Sequence, residues 1–543
     1  MLRKNNSNLT HPDIIQRGFL MTQLDLAKTG KRRSYLRPSL LALTAFFGAS
    51  AMTATSAHAE GVDPAQIQAL QEQIKQLQSE IDGLVANQVK ASKKISSITP
   101  AKGSVVVSSP GKGQLKIGGL TLSLGGYVEA DGVYRSKAQQ SDLNTALKGV
   151  PFNNAVGSRQ SEFRETARAT RLSIGLKGKA DAHTTISAYV EGDFLGTSGT
   201  TANTGATNSF SPRLRQAWAG YERSDLGLHV FGGQSFSLVT QETLGMSPGK
   251  EAAFGWVDSA SHAGYVNIRQ PGLRVVKDFS NKYFLGVAFE NPTVLPVGTA
   301  PVIGGTATTT TYAGAQTLGG VAAVSDDVAP DIIVKGAADT SFGHYEAFGI
   351  GRFLRARQNT SALVQGHNTI RTAIGGGVSA FDSIIPKKLD IQGNFIYGSG
   401  VARYSASQLG DVTYSKGGGL VLLPSIVAQV GLTGHVLPTL DVYGIAGLEM
   451  IHGGGSNSVY GNGASASNAG CYAFGGACGA QVKQVSEYTL GSWWSFYKGA
   501  AGTFQTGLQA SYLRNVSFAD AKGTAPHAGE ELVFLSLRYS PFK

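Results

Sequence analysis

The chain has 543 residues, of which 71 are glycine and only 2 are cysteine, so it is not a disulfide-dense scaffold. Its formal net charge of +11 comes largely from residues 1–59, which hold eight Lys or Arg and two Asp or Glu; the remainder carries 11 − 6, or +5. No basic cluster remains after residue 59, which excludes the usual nucleic-acid-binding surface and predicts no nucleic-acid partner. Beyond the N-terminal region no apolar run reaches about 20 residues, which argues against membrane-spanning helices.

The N-terminus has the pattern of an export signal. A basic segment, 28–37, precedes the apolar stretch 40–49, and the sequence AHA at 57–59 has the small-x-small form of a cleavage site. We therefore predict a signal peptide over residues 1–59. Met21 is an alternative start, because the segment before the apolar stretch is long for such a signal.

A heptad pattern follows over residues 60–98. Apolar residues recur at alternating spacings of three and four, which predicts the a/d seam of a coiled-coil stalk. The seam contains Ile67, Leu70, Ile74, Leu77, Ile81 and Leu84. Gln88 at an a position weakens the preference for two strands, so the seam predicts an oligomer and leaves dimer and trimer open. A lone amphipathic helix on a surface is the alternative. Residues 99–114 predict a flexible linker.

Residues 115–543 repeat one motif, a stretch of alternating apolar and polar residues followed by a turn or a polar loop. In the first copy Leu120, Leu124 and Val128 fall on one face, whereas Glu129 and Asp131 fall on the other. A period of two is the strand period, and these stretches are longer than usual strands. Because one face is apolar and the other charged, we predict the all-β fold class, as an antiparallel transmembrane β-barrel with lipid outside and water inside.

Short turns alternate with long polar loops along the predicted barrel. The tight turns lie at 180–183, 224–226, 280–282, 341–343, 383–387, 435–439 and 499–501, and the long loops at 136–165, 198–210, 241–262, 293–329, 358–367, 403–417, 453–483 and 519–528. Seven turns and eight loops define sixteen strands, enough for a water-filled lumen. An even number brings both ends of the barrel to the periplasmic side, where the stalk is expected.

Six short strings resemble the DcaP-like porins of Gram-negative bacteria. They are GGYVEAD at 125–131, TARATRL at 166–172, YVEGDFL at 189–195, RLRQAWAG at 213–220, HYEAF at 344–348 and LRYSPF at 537–542. The order of signal, coiled coil, linker and barrel is similar too. The resemblance implies a trimeric sixteen-stranded channel that admits small anions, including dicarboxylates. Lys543 after the terminal Phe542 and the long loop 293–329 are departures that leave the loop structure open.

Charged residues on the predicted inward faces are candidates for the pore lining. They are Arg171, Arg213, Arg215, Arg269, Arg352, Glu129, Asp131, Glu191 and Asp193. Arg213 and Arg215 are two residues apart on one strand, so both are predicted to project into water, away from a lipid-facing row that holds Leu214 and Trp218. We expect this pair to favour anions. The alternative is a salt-bridge ladder with the acidic pair on the preceding strand, without a role in transport.

The loop at 241–262 follows the fifth strand, where general porins fold a constriction loop inward. Its Lys250, Glu251, Trp256 and Asp258 are candidates for lining the constriction, and an ordinary surface loop is the alternative.

Cys471 and Cys478 predict a disulfide that stiffens an outer loop. The histidines lack the spacing of a zinc site, and no Gly-x-Ser-x-Gly elbow occurs, so we predict no metal, no cofactor and no enzyme activity. Two functions stay open. One is a diffusion channel in the bacterial outer membrane, in contact with lipid, lipopolysaccharide and small anionic solutes. The other is a structural or adhesive anchor with a periplasmic coiled-coil spacer.

Overall fold

The computed structural model describes residues 107–196, 211–252, 255–258, 262–303, 306–307, 309–310, 327–358 and 367–542, and eight residues between 68 and 83. The chain divides into two compact units, 1–99 and 100–543. Among the described residues, no helix combines the length and apolar character needed to cross a membrane.

Sixteen strands of the second unit form one antiparallel sheet that closes on itself, because β16 pairs with β1. Strand β2 consists of two halves that both pair with β1. The strands are β1 (Leu120–Arg135), β2 (Glu162–Thr166 and Arg171–Lys179), β3 (Thr184–Gly196), β4 (Ser211–Arg223), β5 (Leu228–Phe236), β6 (Arg269–Phe279), β7 (Tyr283–Glu290), β8 (Asp331–Asp339), β9 (Gly343–Gln358), β10 (His367–Ile385), β11 (Leu389–Ser399), β12 (Pro424–Leu437), β13 (Leu440–Ile451), β14 (Val482–Gly499), β15 (Gly502–Ser517) and β16 (His527–Ser540). The predicted fold class and strand number are confirmed.

All seven predicted tight turns join consecutive strands at one end of the barrel. The eight long connections at the other end are loop 1 (136–161), loop 2 (197–210), loop 3 (237–268), loop 4 (291–330), loop 5 (359–366), loop 6 (400–423), loop 7 (452–481) and loop 8 (518–526). Several hold short elements of their own. These are the 3-10 helices Val156–Arg159 and Ala469–Tyr472 and the strands Val302–Ile303, Thr306–Ala307, Thr309–Thr310, Val412–Tyr414 and Leu420–Leu422.

The alternation of the sequence becomes an apolar outer surface and a polar interior. On β16, Val533, Leu535 and Leu537 are 41%, 58% and 46% exposed, whereas Phe534 and Ser536 between them are 1% and 0% exposed. This order reverses that of a soluble protein, in which large apolar side chains are the buried ones. The outer surface therefore has the character of a lipid-facing wall.

Part of the predicted linker, from residue 107 onward, belongs to a β-hairpin. Val107–Gly111 and Gln114–Ile117 form a hairpin, and the second of these strands pairs with β1 from Leu120 to Ser123. Because β16 pairs with β1 only from Val128 to Arg135, the hairpin covers the part of β1 that β16 leaves free. Residues 99–106 and the predicted signal peptide at 1–59 lie outside the described residues.

In the predicted stalk the described residues are helical and exposed. They are Gln68, Glu72, Lys75, Gln76, Gln78, Ser79, Asp82 and Gly83. The predicted seam residues Ile67, Leu70, Ile74, Leu77, Ile81 and Leu84 lie outside the described residues, so the coiled coil stays a prediction.

We predict that the hairpin stabilises the barrel and that the stalk does not. A chain lacking residues 61–106 should unfold at the same urea concentration as the full chain. A chain lacking 61–117 should lose about 1–3 kcal/mol of unfolding free energy, because backbone groups of Leu120–Ser123 lose their partners. Tryptophan fluorescence during urea titration in lipid vesicles measures both. Identical midpoints for the two deletions would refute the role of the hairpin.

Candidate functional site

Five arginines gather on the side of the barrel that runs from β16 through β1 to β6. Arg171 lies on β2, Arg213 and Arg215 on β4, Arg269 at the start of β6 and Arg538 on β16. The guanidinium of Arg269 interacts electrostatically with those of Arg171, Arg213 and Arg215, so residues that are far apart in sequence form one cluster. We call these five residues the arginine wall.

Four carboxylates lie beside the arginine wall: Glu129 and Asp131 on β1, and Glu191 and Asp193 on β3. All four are buried, at 1%, 3%, 7% and 2% exposure.

Ion pairs connect β4 to β3. Arg213 binds Asp193 through two hydrogen bonds, Nε to Oδ1 at 2.9 Å and Nη2 to Oδ2 at 2.7 Å. Arg215 bridges both acids, with Nε 2.6 Å from Glu191 Oε1 and Nη1 3.1 Å from Asp193 Oδ2. Arg171 Nε stands 4.0 Å from the same Glu191 oxygen. The local geometry is thus the salt-bridge ladder given above as the alternative for Arg213 and Arg215.

The arginine is the more accessible partner in most of these pairs. The side chains of Arg171 and Arg213 are 22% and 19% exposed, whereas those of Glu191 and Asp193 are 9% and 0% exposed. Arg538 and its partner Glu129 show the same order, 17% against 0%. The pair of Arg215 with Glu191 is the exception, at 5% against 9%. The arginine side chains therefore form most of the accessible surface of these ion pairs.

Aromatic rings support three of the arginines. The guanidinium of Arg538 lies 4.4 Å from the ring centroid of Tyr127 and 4.3 Å from that of Trp493. Arg171 approaches the same Tyr127 ring at 5.3 Å. Arg269 lies 5.1 Å from the ring of Phe236. Cation–π contacts of this kind hold a guanidinium in place without neutralising its charge.

The predicted orientation of Trp218 is wrong, because β4 contains a β-bulge. Gly192 pairs with Leu214 and Glu191 with Gln216, so Arg215 is the extra residue. A bulge shifts the alternation by one position. Leu214 stays on the lipid face at 54% exposure, whereas Trp218 faces the lumen with Tyr189, its partner on β3.

Loop 3 runs inside the barrel from β5 to the opposite wall. Its backbone N–H groups donate to inward-facing carboxylates, which thereby hold the loop. The bonds are Leu238 to Glu290 Oε1 at 2.7 Å, Gly245 to Asp339 Oδ2 at 3.1 Å, Glu242 to Glu346 Oε1 at 3.2 Å, Ala263 to Glu487 Oε2 at 2.9 Å and Gly264 to Glu449 Oε1 at 2.8 Å. These carboxylates belong to β7, β8, β9, β13 and β14, and each accepts a hydrogen bond from the loop backbone.

One close approach of loop 3 to the wall requires a glycine. A Cβ placed on Gly447 of β13 would lie 1.7 Å from the carbonyl oxygen of Ala263. No side chain can be accommodated at that distance, so the sequence permits the contact only because position 447 lacks one. Beside it, burial lowers the pKa of the loop residue His262 to about 4, so its imidazole is neutral.

The four candidates for the constriction do not share one surface. Lys250 is exposed, whereas Trp256 and Asp258 are buried at 8% and 2% exposure. The Trp256 ring packs edge-on against Tyr265, with centroids 5.0 Å apart. Glu251 is intermediate in exposure and forms a β-bridge with Glu242. These contacts fix the path of the loop, and the side chain of Lys250 alone of the four is exposed.

Arg352 does not line accessible space, contrary to its inclusion among the pore-lining candidates. Its side chain is 0% exposed and lies between Asp331, at 3.1 Å, and Asp411 of loop 6, at 3.0 Å. It also donates to the carbonyl oxygens of Thr293 and Gly400. Arg352 therefore joins loops 4 and 6 to the inner wall. The predicted inward direction of Arg352 could not reveal its burial, because the sequences of the covering loops have no periodic pattern.

Glu242, His344 and Glu346 come together although the sequence predicts no metal site. One ligand atom from each lies within 4.8 Å of the others, the one such group of three among the described residues. Lys335 Nζ is 2.5 Å from Glu346 Oε1, and Arg274 Nη1 is 3.1 Å from Glu242 Oε1. These two cations place positive charge beside Glu346 and Glu242.

Cys471 and Cys478 form a disulfide in loop 7, with Cα atoms 4.4 Å apart. The backbone N–H of Asn154 in loop 1 donates to the carbonyl oxygen of Cys471 at 3.2 Å. The bond therefore closes a small turn against which loop 1 packs.

No protein-family model and no curated protein sequence matches the chain. Solved structures do match. The outer membrane channel DcaP of Acinetobacter baumannii is 16% identical, with 78% of this chain and 97% of that chain covered and a TM-score of 0.55. The chain shares its fold with this channel. The barrel fold that the resemblance implies is thus confirmed.

Two further structures are more distant. An anion-selective porin from Comamonas acidovorans is 13% identical, with 78% and 99% of the two chains covered and a TM-score of 0.40. OmpT of Vibrio cholerae in its trimer form is 8% identical, with the same coverage and a TM-score of 0.40.

We predict that Arg352→Met destabilises the barrel far more than Arg213→Met. Removing Arg352 deprives the buried carboxylates of Asp331 and Asp411 of this cation, which should lower the free energy of unfolding by about 3–5 kcal/mol. Arg213 is partly exposed and its buried partner Asp193 keeps the contact with Arg215 at 3.1 Å, so the cost should be smaller, about 1–2 kcal/mol. Urea unfolding in vesicles compares the two variants. Equal unfolding midpoints would contradict the structural role of Arg352.

Proposed function

We propose that the protein is a channel of the bacterial outer membrane that lets small hydrophilic solutes diffuse passively, with a preference for small anions such as dicarboxylates. The closed barrel with an apolar outer surface supports insertion in a membrane. A sixteen-stranded barrel is wide enough to leave an aqueous lumen around an inward loop.

The order of exposure along the arginine wall carries the anion preference. Five arginines stand beside four carboxylates, Glu129, Asp131, Glu191 and Asp193, so the charges nearly balance in number. The positive and negative charges differ in exposure, because the carboxylate side chains are more deeply buried than most of the arginine side chains. A passing solute therefore meets positive charge first. A narrow lumen concentrates such a field and raises the local concentration of anions.

The opposite wall does not offset this charge. Glu346, Glu449 and Glu487 are 4%, 1% and 3% exposed. Glu449 accepts hydrogen bonds from Gly264 of loop 3 and from Ala406 and Ser407 of loop 6. Because the loops occupy these carboxylates, the acids stabilise the loop arrangement, and we infer that they contribute little to the field at the lumen axis.

The heptad seam supports a homo-oligomer whose stalk lies in the periplasm, and the family resemblance implies a trimer. The even strand number supports this placement, since both ends of the barrel lie at the end with the short turns. Lipid and lipopolysaccharide would then contact the outer surface.

A membrane anchor is the second candidate, and the packing of loops inside the barrel favours it. Lys148 of loop 1 donates to the carbonyl oxygen of Gln408 in loop 6 at 2.8 Å. Together with loop 3, these loops narrow the lumen. Swelling of liposomes that contain the purified protein separates the two functions, because an anchor with a filled lumen would not admit sugars or small acids.

We predict that Arg213→Ala/Arg215→Ala reverses the ion preference. The wild type should be more permeable to chloride than to potassium. The double variant removes both cations bound to Asp193 and leaves Glu191 with Arg171 at 4.0 Å as its cationic neighbour. The remaining hydrogen bonds to the two acids come from neutral donors, Tyr189 and the backbone N–H of Leu195, so the permeability ratio should fall below one. Reversal potentials in a potassium chloride gradient measure the permeability ratio of chloride to potassium. The difference in this ratio between the wild type and the double variant should shrink above about 0.1 M salt, where the screening length falls below ~10 Å.

Arg514→Ala is the matched control. Arg514 is exposed on the outer face of β15, between the buried inward residues Leu513 and Asn515. Its removal takes away the same charge without changing the lumen, so the ratio should stay at the wild-type value. A cation-selective wild type, or a double variant that behaves like the control, would show that Arg213 and Arg215 are structural only.

A further inference from the structure

The first half of β2, Glu162–Thr166, carries an arginine on its inner face. Arg164 pairs with Val133 of β1, and residues that pair directly have their side chains on the same side of a sheet. Val133 is 0% exposed, and Arg135 on the same face of β1 binds Glu162 at 2.9 Å, so this face is the inner one. Arg164 itself is exposed. Its side chain therefore lies inside the barrel and in contact with water.

Arg164 has no acidic partner. Most arginines on the inner face of β1–β6 bind a carboxylate. In the part of the chain that the structure describes, no carboxylate forms an ion pair with Arg164, and its guanidinium makes no hydrogen bond or ring contact. Arg269 of the arginine wall is similar, because its contacts are the neutral side chains of Asn267 at 3.4 Å and Phe236 at 5.1 Å. These two guanidinium groups supply positive charge that no ion pair offsets.

Acids at the loop end of β2 and β16 do not cancel the charge of Arg164. Glu162 already forms the ion pair given above and accepts a backbone hydrogen bond from loop 1 at 2.9 Å. Glu530 is 0% exposed and accepts a hydrogen bond from a glutamine of loop 1. Glu165 and Glu531 alternate with inward residues and so lie on the outer face of the sheet. Water on the inner side of the wall therefore meets Arg164 as a single positive charge.

Arg164 lies nearer to the long loops than the arginine wall does. On β1, which runs toward loop 1, Arg164 pairs with Val133, whereas Arg171 pairs with Tyr127. Six residues of a strand span about 20 Å. Because salt screens charges over ~10 Å at 0.1 M, the fields of Arg164 and of the arginine wall act on a solute one after the other.

We propose that Arg164 is a capture site for small anions at the loop end of the channel, ahead of the arginine wall. An anion that enters between the long loops meets the guanidinium of Arg164 first and that of Arg269 further in. No partner fixes the Arg164 side chain, so its charge, and not a particular geometry, raises the local concentration of anions and their rate of entry. This inference rests on the proposed channel function and adds an entry step to it.

The conductance of single channels of the purified full-length protein in a planar bilayer tests the proposal at two salt concentrations. A unit charge in water at about 7 Å changes the local anion concentration about 2- to 3-fold when screening is weak, and very little at about 1 M salt, where the screening length is ~3 Å. Arg164→Ala should therefore lower the conductance about 2- to 3-fold in about 0.01 M potassium chloride and leave it unchanged at about 1 M. Arg164→Lys keeps the charge and should conduct like the wild type at both concentrations.

Arg514→Ala is again the matched control, because Arg514 is exposed on the outer face near the loop end of β15. That variant should keep the wild-type conductance at both concentrations. An Arg164→Ala channel that keeps the wild-type conductance at low salt overturns the capture site alone, as does an Arg164→Lys channel that conducts as poorly as Arg164→Ala. A folded wild type that conducts no ions, or one that prefers cations, overturns the proposed function and the capture site with it.

Discussion

The structure depends on the pairing of β16 with β1. A sheet in a bilayer must satisfy every backbone N–H and C=O group internally, and only closure removes the two free edges. Because the first and last strands pair over only part of β1, the N-terminal hairpin completes that seam. Closure also forces alternate side chains into a confined interior. The polar half of each strand must therefore find partners inside the barrel.

Two arrangements of interior carboxylates distinguish the two walls of the barrel, beside fully buried ion pairs such as that of Arg352 with Asp331. From β16 to β6, carboxylates bind arginines that remain partly exposed. From β7 to β14, carboxylates accept hydrogen bonds from the backbone of loop 3. The first arrangement leaves positive charge facing water, whereas the second uses negative charge to hold a loop. An interior with similar numbers of acids and bases can thus present mainly bases.

The sequence was sufficient to predict the strands, because a period of two and short turns such as 280–282 are local signals. It could not reveal the bulge at Arg215, because the residue types of β4 do not show where the pairing with β3 shifts. The bulge nevertheless turns the side chain of Trp218 to the opposite face of the strand. The burial of Arg352 under loops 4 and 6 could not be predicted for a different reason. It depends on contacts with Asp411 and Thr293, which are distant from Arg352 in sequence. Residues 107–114 were predicted to be part of a linker because a short hairpin rich in Gly, Ser and Pro carries little apolar periodicity.

The central claim is that guanidinium groups, and not carboxylates, face the water of the lumen. Crystals of the protein soaked in sodium bromide and, separately, in rubidium chloride test it most directly, because both ions are located by their anomalous scattering. The account predicts bromide beside Arg171 and Arg213 and no rubidium within contact distance of Glu191 or Asp193. Rubidium bound at those carboxylates, with no bromide along the arginine wall, would contradict it.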